Sequence, residues 1–143
     1  MLKTTRFLVL FLALVVAIDC GRKTSHVAAT LNAVEASKTA VKDTIETAYL
    51  YRITDLKRQL DAGEITKDEL DLQVEKLDAK LDSIIAILDR IQDAEGLLAS
   101  TAQLYRTNPT DPTVGAQINE LIAQVTALTT ELYAQIGGLN GGS

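Results

Sequence analysis

Residues 66–106 read TKDELDLQVEKLDAKLDSIIAILDRIQDAEGLLASTAQLYR, and the spacing of their apolar positions decides the fold. Leu70, Val74, Leu77, Leu81, Ile84, Leu88 and Ile91 alternate steps of four and three. Glu95, Leu98, Ala102 and Tyr105 continue the series. Such steps keep side chains on one face of an α-helix, so the stretch predicts a long helix with a coiled-coil seam. Glu95 is its polar interruption. The helix start is marked as well. Thr66 and Glu69 form a capping box, in which the Thr hydroxyl and the Glu carboxylate each satisfy an otherwise unpaired backbone N–H. Ile65 and Leu70 take the two positions of a hydrophobic staple. Gly63 suits the left-handed residue that closes a preceding helix.

Upstream, Val27, Leu31, Val34, Val41 and Ile45 mark an apolar stripe, which shifts to Tyr49, Ile53, Leu56 and Leu60. The four-residue steps from Ile45 to Ile53 are a stutter. Downstream, residues 106–114 hold both prolines and read as a loop, with Asp111 as N-cap and Pro112 as first helical residue. Ile118, Leu121, Val125, Leu128, Leu132 and Ile136 form a third stripe before Gly137 and Gly138. The expected architecture is all-α: an antiparallel up-down three-helix bundle, with helices over about 26–61, 66–106 and 112–136. The third helix is the shortest, so the ends of the first two, roughly 46–61 and 66–82, are expected to project as a two-helix hairpin. Residues 137–143 are expected to form a flexible tail.

Composition agrees and excludes several classes. The chain has 143 residues, 47% hydrophobic and only 4% aromatic, with no Trp, which suits helices on aliphatic seams in one domain. One Cys and one His exclude an internal disulfide and a Cys/His zinc site of the usual kind. A net charge of −5 argues against a general electrostatic grip on nucleic acid.

The first 19 residues have the pattern of an export signal, with a short tether over 20–25. Lys3 and Arg6 precede an unbroken apolar run from Phe7 to Ile18. As a helix these twelve residues are about 18 Å long, well short of the roughly 30 Å hydrocarbon core. A signal-peptide core fits them better than a spanning helix. The run ends at Ala17-Ile18-Asp19-Cys20-Gly21, which resembles the lipobox of bacterial lipoproteins. That resemblance implies diacylation of Cys20 and cleavage in front of it. Ala17 and Asp19 stand where the family prefers Leu and a small residue. Cleavage after Ala17 without lipid, and retention of the segment as an anchor, are the alternatives.

The turn between the first two helices carries a second resemblance. Leu56, Leu60, Asp61, Gly63, Ile65, Thr66, Glu69, Leu70 and Leu77 are similar to the short helical-hairpin module abbreviated SHOCT, with Leu70 where an aromatic is common. The resemblance implies an interaction or oligomerisation hairpin. An EF-hand reading of the same turn fails, because Arg58, Leu60 and Ala62 would stand where calcium needs side-chain oxygens. On the second helix Asp71, Glu75, Asp78, Asp82, Asp89 and Asp93 form an acidic flank, either a docking strip or one half of cross-helix pairs. In an antiparallel hairpin those pairs would be Arg52 with Glu75, Lys42 with Asp82, and Lys38 with Asp89. His26 stands alone, and no catalytic constellation, phosphate loop, cofactor site or small-molecule site is discernible. The sequence therefore points to a non-enzymatic protein, held at a bacterial cell-envelope membrane through Cys20, that self-associates or docks a helical partner. A soluble periplasmic holdase and a membrane-retained envelope or phage lysis protein are the alternative readings.

Overall fold

The computed structural model describes residues 23–140, which form three helices: α1 (Lys23–Asp61), α2 (Lys67–Thr107) and α3 (Pro112–Asn140). They pack as an all-helical antiparallel bundle in which each helix touches both others. The 1–19 segment and Cys20 lie outside the described residues, as does the end of the tail.

Both turns are built by the residues that mark them in the sequence. At the end of α1, Gly63 has φ +70°, the left-handed conformation that favours glycine. The Gly63 N–H donates to the Leu60 carbonyl at 2.9 Å and the Glu64 N–H to that of Gln59 at 2.9 Å. These two bonds are a Schellman closure. At the start of α2 the Glu69 N–H donates to Thr66 Oγ1 at 3.3 Å, and the Thr66 N–H to Glu69 Oε2 at 2.7 Å. The capping box is thus complete. Asp111 caps α3, its Oδ1 accepting the Thr113 N–H at 2.8 Å, and Pro112 opens the helix.

Two helix boundaries differ from expectation. α1 begins at Lys23, inside the stretch expected as tether, because no breaker separates Lys23-Thr24-Ser25 from the apolar stripe. α3 runs through Gly137 and Gly138 to Asn140, so residues 137–140 are helical and not flexible tail. Glycine permits a left-handed stop without imposing one, and Gly63 is the one described glycine that adopts it.

The core lies where all three helices overlap. Val34 and Val41 of α1, Ile84, Ile87 and Ile91 of α2, and Val125, Leu128 and Leu132 of α3 form its centre. A smaller cluster closes the end near the α1 start, where Val27, Leu98, Ala102, Ile118 and Ile122 meet. That end is called the base here, and the Gly63 turn the tip. With 29 residues α3 is about 44 Å long, against about 61 Å for the 41 residues of α2. Between residues 49 and 76 Leu56 alone is buried. The ends of α1 and α2 therefore project beyond the three-helix core as the expected hairpin.

The capping box is a local device, and its removal has a local price in stability. Thr66→Ala is expected to cost about 1 kcal/mol. The Thr66 backbone N–H, and then its hydroxyl, holds the Glu69 carboxyl below the ordinary carboxylate range. A lowered carboxylate pKa contributes stability that is present at neutral pH and lost as pH falls through the lowered value. The difference between wild type and Thr66→Ala, measured by urea unfolding, should therefore narrow below about pH 4.5.

Candidate interaction surface

The candidate hairpin residues occupy the tip as a group. Leu56 is buried, Leu60, Ile65 and Leu70 are half-buried, and Gly63, Thr66 and Glu69 are exposed. They give the tip a thin apolar seam between its two helices. On α1 near the tip, Arg58 Nη2 reaches Asp55 Oδ1 at 2.9 Å and Gln59 Nε2 reaches Asp55 Oδ2 at 2.8 Å. The Arg58 hydrogen bond is the main reason the Asp55 carboxyl sits below its ordinary range.

The acidic flank is exposed along its whole length, from Asp71, Glu75 and Asp78 to Asp82, Asp89 and Asp93. None of the three expected cross-helix pairs forms: Arg52 with Glu75, Lys42 with Asp82, and Lys38 with Asp89 are not ion pairs. Lys38 Nζ instead meets Glu95 Oε2 at 2.7 Å, and Glu35 Oε2 at 2.7 Å on its own helix. Side chains tilt toward the N-terminus of their own helix. In an antiparallel pair Lys38 therefore leans away from the turn and Glu95 toward it, so they meet further along than counting straight across predicts. Asp78 is the one member of the flank with a cross-helix bond, accepting from Tyr49 Oη at 2.8 Å. That bond, with burial adding to it, raises the Tyr49 pKa above its ordinary value.

Glu95 is the polar interruption in the α2 seam, and Lys38 explains it. Their side chains retain only 13% and 24% of full exposure, so this pair is more sheltered than those of Lys38 with Glu35, Arg58 with Asp55 and Arg90 with Glu131. Burial works against the Lys38 charge, but the hydrogen bonds to Glu35 and Glu95 outweigh it and raise its pKa.

Beside this pair an apolar groove of about 540 Å³ runs between α1 and α2. Ile45, Tyr49 and Leu50 line it from α1, and Leu81, Ile85 and Leu88 from α2. α3 contributes nothing to it. Leu50 and Ile85 are 57% and 45% exposed, high values for residues of their size. Lys42 and Glu46 edge the groove on α1, and Asp89 and Gln92 on α2. The spacing of the acidic flank could be read from the sequence; the groove could not, because its walls belong to helices 40 residues apart in the chain.

At the base, Lys23 Nζ lies 5.6 Å from the Tyr105 ring centroid, a cation–π contact. Gly115 makes room for it: a methyl group there would come within 2.5 Å of Lys23 Nζ. Among the described residues no cluster of three His, Cys, Asp or Glu side chains is placed to hold a metal ion, and no helix is long and apolar enough to cross a membrane. Compared with protein-family models, curated proteins and solved structures, the chain matches none.

Proposed function

We propose that this chain is an exported, lipid-anchored structural protein whose α1–α2 hairpin is a docking surface for self-association or for a helical partner. The observation that carries the reading is a juxtaposition. An open apolar groove between α1 and α2, at the root of the projecting hairpin, adjoins an acidic strip that is exposed along its length. Apolar side chains left in an open groove gain roughly 25 cal/mol for each Å² that a partner covers, and the neighbouring charges supply orientation. No step in this role requires a catalytic group, and the protein acts as a non-enzymatic scaffold.

The lipobox-like Cys20 gives the surface a direction. It precedes Lys23, the first residue of α1, so acyl chains on Cys20 would hold the base at a bilayer. The 39 residues of α1 then carry the Gly63 turn about 58 Å outward. Each buried CH₂ of an acyl chain contributes about 0.8 kcal/mol, and two or three chains give a stable anchor. The domain itself is acidic and is repelled by anionic lipid, so the anchor alone supplies attachment.

Intact mass of the protein from a bacterial membrane fraction tests the anchor. The expected species begins at Cys20 and carries acyl chains. A species beginning at Ile18 without lipid would favour a soluble periplasmic protein, and an intact Met1 a retained segment. Either contradicts the lipid anchor.

A further inference from the structure

We propose that the α1–α2 groove is closed by the same groove of a second copy, with the two hairpins side by side and their tips pointing the same way. This rests on the docking reading above and names its occupant. The charge pattern selects both the partner and its orientation. Asp89 lines the α2 side of the groove, with Asp78 and Asp82 exposed on the acidic flank of the same helix, while Lys42 and Glu46 line the α1 side.

Two grooves can meet about a dyad in only two simple ways. A dyad perpendicular to the helices places α2 against α2 of the other copy, bringing two acidic edges together, which is repulsive. A dyad parallel to the helices places α1 of each copy against α2 of the other. Lys42 and Ile85 are level with each other, each one heptad further from the turn than the bonded pair Tyr49 and Asp78. In the parallel arrangement Lys42 therefore lies level with Ile85 of the other copy, and its tilt away from the turn directs its charge toward that copy's Asp89.

The contact is isologous, so this pairing occurs twice. It produces a four-helix arrangement in which every neighbour is antiparallel, with Ile45, Leu50, Leu81 and Ile85 of both copies enclosed and each α3 outside. Both Lys23 residues fall at the same end. Two copies anchored through Cys20 in one bilayer can therefore form it without reorienting.

The test uses the full chain in membranes of a bacterium that produces two differently tagged forms. The photo-reactive amino acid benzoylphenylalanine replaces Ile85 in both. Irradiation is expected to give a product carrying both tags, with the crosslink mapped by mass spectrometry to residues 42–50. The same probe at Leu97, which is exposed and does not line the groove, should give no such product. Lys42→Glu should lower the yield of the Ile85 product about tenfold. Adding Asp82→Lys and Asp89→Lys to that variant should restore it, because all three positions are exposed and the exchange preserves the pairing. Crosslinks confined to one chain, or an unchanged yield with Lys42→Glu, would overturn the proposal. So would a product containing a different protein, although the docking reading would survive that result.

Discussion

Ile91→Ala is expected to lower the stability of the bundle by about 4 kcal/mol. Ile91 has no exposed surface and sits in the centre of the core, among Val34 and Val41 of α1 and Val125, Leu128 and Leu132 of α3. Truncation removes three carbons from a position braced by three helices, so the surroundings cannot collapse into the space. The loss combines transfer free energy with a persistent cavity. Domains of this size are stable by only about 5–15 kcal/mol, so the variant should be close to marginal. Urea unfolding followed by circular dichroism reads the change as a fall in midpoint at constant slope. Leu60→Ala, at a half-buried position near the tip, should cost only about 1 kcal/mol. A tip variant as damaging as Ile91→Ala would mean that the hairpin belongs to the core.

The second large effect concerns Lys38 and Glu95. Lys38→Met leaves the Glu95 carboxylate in a sheltered seam without its partner, and about 2 kcal/mol should be lost. Glu95→Leu removes the charge that needs a partner and leaves Lys38 its bond to Glu35, so the loss should be smaller. The double variant, with two apolar side chains of similar volume, should be as stable as the wild type or more so. This non-additivity is the signature of a pair that costs much to break and little to replace, and a double-mutant cycle measures it. The raised Lys38 pKa adds a pH dependence. A raised lysine pKa contributes stability that is complete below the ordinary value of 10.5 and lost as pH rises through the higher folded value. Wild type should therefore fall further below the double variant above about pH 10.5.

The sequence makes the scaffold legible because its decisive signals are local. Gly63, Thr66 and Glu69 act within one turn, and the structure uses each as its residue type requires. The heptad series likewise finds the α2 seam. It passes over Ile87 and Ala94, which are buried, and includes Leu77, Leu81 and Leu88, which are half-buried. A helix that packs against two partners needs a wider stripe than a two-stranded seam, and the single track from Leu70 to Tyr105 describes only part of it. Ala48 on α1 and Ile122 on α3 escape the stripes for the same reason.

Two buried hydroxyl residues were also invisible to apolar spacing. Ser37 donates to the Ala33 carbonyl at 2.9 Å and Thr129 to that of Val125 at 2.8 Å. Each satisfies its hydroxyl within its own helix and so sits in the core without needing a partner across it. Long-range pairing was the least legible feature. Lys38 finds Glu95 and not Asp89, because the meeting point of two long side chains depends on their tilt as well as on register. The acidic flank, for which pairing across the hairpin was one of two readings, remains on the surface next to the groove.

The central claim is that α3 stabilises the base and middle of the bundle, where the groove lies, and leaves the projecting ends of α1 and α2 weaker. Native-state hydrogen exchange, resolved by residue, tests it most directly. Amides of residues 84–102 are expected to exchange only through opening close to global unfolding. Those of residues 50–61 and 67–74 should exchange through openings that require several kcal/mol less. Equal protection along α1 and α2, from base to tip, would contradict the account.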